Sequence, residues 1–231
     1  MASTFAGFSR ELPAFFQELG ANNSRAWFDE HRQDYQRVFA EPAKQFVAAL
    51  EPKLQRISRD VQAEPRVNGS IMRVNRDTRF SKDKTPYKTN LSMLFPEGPT
   101  FDRARPAFLM QIDATRLCIG AGQCAFSPEQ LEMYRGAVAH PKTGAALERA
   151  ISKAAEAGYA NVGGKHYKRV PRGFDADDPR AELLKHAGLD VGTQRPLPDE
   201  LFTPDAADYC VECFRKVRPI QKWLVAAFNG L

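Results

Sequence analysis

Apolar residues recur at helical spacing through the first sixty residues of this chain, then alternate at every second position between Gly69 and Gly122. Helices followed by strands, with helices again beyond, read as an α+β fold. Ser9 to Leu19 form a first helix with Pro13 in its opening turn and Gly20 at its end. Asn23 or Ser24 caps a second, starting at Arg25, whose apolar face carries Trp27, Phe28, His31, Tyr35, Val38 and Phe39. Pro42 allows a break before a third helix through Phe46, Val47, Leu50 and Leu54.

The alternating region predicts four antiparallel strands, Ser70–Arg76, Tyr87–Phe95, Ala107–Asp113 and Thr115–Ala121, with a tight hairpin at Asp113-Ala114-Thr115. Met72, Val74, Tyr87, Leu91, Met93, Phe95, Phe108, Met110, Ile112, Leu117 and Ile119 then share the face that packs on helices. Arg73, Asn75, Lys88, Asn90, Ser92 and Gln111 share the other, interrupted by Leu109 and Cys118. Helices over Glu129–Ala139 and Thr143–Ala157 follow, then an irregular stretch from Tyr159 to Phe202 with one short helix over Ala181–His186. A long final helix surrounds Cys210, and Pro219 kinks or splits it. The expectation is one α+β domain over 1–231: helical to 60, a four-stranded sheet over 69–122, and a mixed helical part over 123–231.

At 231 residues with 43% apolar composition the chain can bury a sizeable core. Its longest strongly apolar run, Trp223 to Phe228, is too short to span a bilayer, and Met1 to Phe5 carry no export signal, so no membrane partner and a cytoplasmic location are expected. A net charge of +5 favours acidic partners without singling out nucleic acid. The four cysteines are no disulfide framework. Cys210 and Cys213 form a C-x-x-C, but they lie in a helical stripe with Tyr209, Phe214, Val217, Ile220, Leu224 and Phe228 and lack a second pair of zinc ligands, so they read as core. No metal or cofactor site is expected from these features, and they do not specify an oligomeric state.

Charge concentrates in one place. Between Arg73 and Lys88 lie Arg73, Arg76, Arg79, Lys82, Lys84 and Lys88, with the carboxylates Asp77 and Asp83. Guanidinium groups hold phosphate or carboxylate through paired hydrogen bonds, and ammonium groups add point charge. Asp77 and Asp83 would orient these cations or transfer protons. Charge runs are usually solvated faces whose members pair with one another. Against that, Phe80, Pro86 and Tyr87 punctuate the loop and are expected to tether it to the body.

The run R-D-T-R-F-S-K-D-K-T-P-Y-K, preceded by N-N-S-R-A-W-F-D-E-H-R-Q-D-Y and followed by G-A-G at Gly120 to Gly122, resembles the signature of the domain-of-unknown-function family numbered 2461. The resemblance runs from about Phe5 to the last helix. It implies that Asn22, Asn23, Arg25, Trp27, Phe28 and Tyr35 match the first family motif and that Arg76 to Lys88 match the second. It carries over no catalytic residue. Where the family pattern continues after Pro171-Arg172-Gly173-Phe174 to Asp-His-Pro, this chain has Asp177-Asp178-Pro179.

Other motifs have plainer readings. Asn22, Asn23 and Arg25 could add donors to the basic site, although Asn23 or Ser24 also suits a helix cap, and His31 suits packing. Gly120 to Ala125 fits G-x-G-x-x-A, but the preceding hairpin strand is the wrong context for a dinucleotide fold, and the glycines instead suit close backbone approach. Asp178 is expected to cap the Ala181 helix, with Pro179 at its first position and Asp175 and Asp177 at the positive end of its dipole. Three functions follow from the basic segment: a site for an anionic small molecule centred on Arg73, Arg76, Arg79, Lys82, Lys84, Tyr87 and Lys88; a nucleic-acid module in which Phe80 and Tyr87 stack on bases; or a docking domain for an acidic protein.

Overall fold

A computed structural model of the chain describes residues 5–164 and 166–230, so the reading of Met1 to Thr4 lies outside the described residues. The fold is α+β. Its sheet is antiparallel and five-stranded, in the order β1-β2-β3-β5-β4, with β1 Leu91–Pro96, β2 Ala107–Ile112, β3 Arg116–Gln123, β4 Asn161–Val162 and β5 Leu189–Pro196. By internal contacts the chain divides into two compact units. One comprises Met1–Phe95, Met110–Cys118 and Gln194–Val211; the other comprises Pro96–Leu109, Ile119–Thr193 and Glu212–Leu231.

In the first unit, α1 (Leu12–Ala21) starts after Ser9 and runs past Gly20, whereas α2 (Arg25–Glu30) starts where expected. Ser24, rather than Asn23, caps α2, its hydroxyl accepting from the Trp27 amide at 3.3 Å. The expected break at Pro42 does not occur. A short α3 (Arg32–Asp34) passes through a π-helical turn, Tyr35–Ala40, directly into α4 (Glu41–Ile57). Pro42 has no amide hydrogen to give, and a shift of helical register just before it lets the chain continue. Phe5, Phe8 and Phe46 pack edge-on or tilted with centroids 5.0–5.3 Å apart, and Phe16 meets Phe39 at 6.0 Å.

The expected alternation is present. Val74, Tyr87, Leu91, Met93, Phe95, Phe108, Met110, Ile112, Leu117 and Ile119 are buried, whereas Met72, expected with them, is only half-buried, as are Lys88, Asn90, Ser92 and Gln111, and Arg73 and Asn75 are exposed. Asp113 closes the β2–β3 hairpin, its carboxylate accepting from the amides of Thr115 and Arg116 at 2.7 and 2.8 Å. The count of four strands is corrected at both ends. Ser70–Arg76 pairs with 86–94 through main-chain bonds such as Met72 N to Ser92 O at 2.9 Å and Arg76 N to Pro86 O at 2.8 Å, but only through isolated bridges, not as a regular strand. The stretch expected to be irregular instead supplies β4 and β5, paired antiparallel with Asn161 opposite Gly192.

In the second unit, Gly120 and Gly122 admit β5. A Cβ at Gly120 would lie 2.4 Å from the Val191 carbonyl oxygen, and one at Gly122 would lie 2.2 Å from that of Leu189. The glycines therefore serve close backbone approach. Helix α5 (Pro128–Ala139) opens with a capping box between Ser127 and Gln130, and α6 (Pro141–Glu156) follows. The short α7 (Ala181–Leu184) starts at Ala181 as expected but ends before His186, and Asp178 does not cap it but accepts from the Arg180 amide at 2.7 Å and its Nε at 3.1 Å. Aromatic rings of Phe126, Tyr134, Trp223 and Phe228 pack together, and the Tyr134 hydroxyl donates to the Leu183 carbonyl at 3.0 Å. Burial in this cluster pushes the Tyr134 phenol well above its ordinary pKa.

The last helix, α8 (Ala206–Phe228), is continuous, so of the kink or split expected at Pro219 the split does not occur. Pro219 still removes one donor, that which the Arg215 carbonyl would otherwise accept. Cys210 and Cys213 are buried on its apolar stripe, as the helical spacing required. Among the described residues no helix is long and apolar enough to cross a membrane, and no group of three or more His, Cys, Asp or Glu side chains is placed to hold a metal ion.

Candidate functional site

The basic loop is fastened at its base by uncharged groups. Tyr87 is 7% exposed and stacks on Phe28, ring centroids 4.1 Å apart and planes 17° from parallel. Asn23 holds the same residue by its main chain: the amide nitrogen donates to the Tyr87 carbonyl at 3.0 Å, and the amide oxygen accepts from the Tyr87 N–H at 3.0 Å. This reproduces one pair of strand–strand hydrogen bonds with a side chain. Asn23 is thereby engaged, and Asn22 donates to the Glu18 carbonyl at the end of α1, so neither amide is directed to an anion. Arg25 is exposed on the first turn of α2. His31 stacks on Trp27 at 3.9 Å and its Nδ1 lies 2.8 Å from the Trp27 carbonyl oxygen, a packed and hydrogen-bonded histidine.

Between Arg76 and Pro86 the loop is braced by its own polar groups. Arg76 reaches Asp83 and the Thr85 hydroxyl. Asp83 also accepts from the Thr85 amide and hydroxyl, each at 2.9 Å. Arg79 meets Asp77 through Nε at 3.0 Å and Nη2 at 2.7 Å, and Lys84 donates to the Thr78 carbonyl at 2.9 Å. The Arg79 side chain holds the Asp77 carboxyl at about 2, with its backbone amide and the Arg73 charge adding to the effect. The Thr85 amide, then Arg76, does the same for Asp83, also at about 2. Both carboxylates orient cations. Arg73, Arg79, Lys82 and Lys84 are exposed, whereas Arg76 and Lys88 are half-buried.

The Ser81 amide donates to the Thr78 carbonyl at 3.3 Å, closing a turn that carries Arg79 and Phe80 at its centre. Phe80 is 96% exposed, and the Arg79 guanidinium lies over its ring at 5.8 Å. The expectation that Phe80 tethers the loop is therefore corrected: a central turn position carries the ring outward, and Tyr87 with Asn23 does the tethering. Tyr87, buried against Phe28, is likewise no base-stacking group. Thr78 and Thr85 escaped a reading centred on charge. The spacing Asp83-Lys84-Thr85, in which an acid accepts from the amide two residues on, was the available signal.

Residues 11–223 match a family model described as "Conserved hypothetical protein (DUF2461)". The chain belongs to this family. The matched span includes the Asn23 clamp, the braced loop and all five strands of this DUF2461 protein. No curated protein matches the chain.

Proposed function

We propose that the Arg76–Pro86 loop binds a polyanion and that single-stranded nucleic acid is the partner its chemistry fits best. The observation that carries this reading is Phe80, 96% exposed at the centre of a turn braced on both sides by ion pairs. A ring held out on a braced loop loses little freedom on binding, and any base offers it a face to stack on. Arg73 and Lys82, exposed on the same segment, supply charge for the flanking phosphates. A closed site for a small anion has less support, because Arg76 and Lys84 already serve acceptors inside the loop. Asp77 and Asp83 are given no proton transfer, since carboxyls at about 2 remain ionised and weakly basic near neutrality.

Fluorescence anisotropy with a labelled oligothymidylate across a salt series tests the proposal. Affinity should fall with salt, and Lys82→Ala should flatten the logarithmic slope by roughly 0.7, the share of one phosphate on a single strand. Phe80→Ala should weaken binding by about 5- to 150-fold, the range for one lost base stack. Equal affinity of the Phe80→Ala and unaltered proteins, or displacement of the oligonucleotide by low millimolar inorganic phosphate, would overturn it.

A further inference from the structure

The second unit holds a cavity of about 330 Å³ whose charge is opposite to that of the chain as a whole. Three carboxylates, Glu97, Asp102 and Glu129, line it against one guanidinium, Arg105, in a protein of net charge +5. Arg105 is paired with one of these acids, its Nε 3.7 Å from the Asp102 carboxylate, which leaves Glu97 and Glu129 as the other two. Glu129 is held in ionised form by the Ser127 hydroxyl, which donates to it at 2.7 Å and lowers its pKa. The remaining wall includes the apolar side chains of Met133, Val225 and Phe228.

Glu97 is the residue that points to a ligand. It is 9% exposed, yet it lines the cavity. One carboxylate oxygen accepts from Arg218 Nη2 at 3.3 Å, at the long end of the normal range. The other, Oε2, is buried with no hydrogen-bond partner among the described residues. Buried acceptors are rarely left so, because the water they lose on folding is not replaced. Three residues after Arg218 on α8, and on the same face as Val225 and Phe228, Gln221 is fully buried with neither amide atom hydrogen-bonded among the described residues. This side of α8 is thus unusually polar for its depth.

We infer that this cavity binds a small aliphatic amine, its ammonium group held by Glu97 and Glu129 and its methylene chain laid against Met133, Val225 and Phe228. An ammonium group brings three donors and no acceptor, which suits a wall rich in carboxylate oxygens. A divalent metal would require several carboxylates converging on one point, and no such group exists among the described residues. An anion would face two carboxylates, Glu97 and Glu129, besides the Arg105–Asp102 pair. Met133, 47% exposed although large and apolar, gives the chain of such an amine a surface to cover. The volume is at the small end of ligand sites, matching a chain of a few carbons.

Isothermal titration of the full chain with 1,4-diaminobutane at low salt tests the inference, with butyrate as the anionic control. Saturable one-to-one binding of the diamine and none of butyrate is expected. Glu129→Gln, on an exposed residue, should weaken it about tenfold, and Val225→Trp, which fills the cavity without altering charge, should abolish it. Glu97→Gln should also weaken binding; because that change also removes the charge paired with Arg218, the Glu129 and Val225 variants decide the matter. Phe80→Ala should bind the amine unchanged, which separates this site from the loop. Absence of saturable binding, binding indifferent to both deciding variants, or equal binding of butyrate would overturn the inference.

Discussion

In the Arg76–Pro86 loop, three cations find acceptors within the loop itself, yet nearly every one of these groups borders solvent. At the cavity of the second unit, the lining residue Glu97 and its partner Arg218 have side chains only 10% and 21% exposed, and one Glu97 oxygen still lacks a hydrogen bond among the described residues. Water screens the first set and stands ready to replace any partner it loses. The second set has no such reserve. Many charges in one stretch of sequence therefore say little about where stability is at stake, and a buried pair says much.

Removing a partner from the buried pair is the strongest way to break this comparison. Arg218→Met should leave the Glu97 carboxylate buried without a counter-charge and cost about 3–5 kcal/mol in denaturant unfolding. The double variant Glu97→Leu with Arg218→Met should recover most of that loss, since it removes both charges together. A single-variant cost below about 1 kcal/mol would place the pair in the same class as the surface pairs.

Next in size is the attachment of the loop. Asn23→Ala strips the Tyr87 amide and carbonyl of their partners at a half-buried position, which should cost about 1–3 kcal/mol. It should also weaken oligonucleotide binding, although Asn23 touches no phosphate in the proposed mode. If the charges alone set the loop's shape, stability and affinity would both survive this change.

How far these regions could be read from the sequence depends on what kind of interaction builds them. Alternation placed Leu91, Met93, Phe95, Phe108, Met110, Ile112, Leu117 and Ile119 inside because a half-buried strand has a period of two whatever surrounds it. Strand β5 was hidden: Leu189 and Val191 alternate as they should, but Gly188, Gly192 and Pro196 resemble loop punctuation, and only the bare backbone at Gly120 and Gly122 explains how β5 reaches its neighbour. The loop's cations were legible as a cluster, whereas the direction of Phe80 was not, since a central turn position and a core anchor carry the same residue type. Glu97 and Arg218 are 121 residues apart, and nothing local marks them as partners. Glu97 follows Pro96 and precedes Gly98, a context that reads as a turn.

Phe80→Ala should have the smallest effect on stability, within about 0.5 kcal/mol, because almost none of the ring is removed from water. Unchanged unfolding with lost oligonucleotide affinity would sharpen the contrast between a loop built to present groups and a cavity wall built to hold them. A clear loss of stability would show that the ring packs on the body in solution, as an anchoring aromatic does.

The subtlest consequence concerns acid. Asp77 and Asp83 have carboxyls at about 2 in the folded loop against an ordinary value of 3.8. A carboxyl lowered by folding adds stability that is fully present above the unfolded value and disappears as pH falls through the folded one. The bracing should thus hold above about pH 4 and loosen progressively between there and pH 2. In two-dimensional NMR, the amides of Arg79 and Thr85, which donate to these carboxylates, should shift with midpoints near 2. Midpoints close to 3.8 would mean that the two carboxylates are solvated independently, and that Phe80 rides on a loop with no internal brace. The oligonucleotide proposal would then lose the preorganisation that favours it over a merely basic, flexible segment.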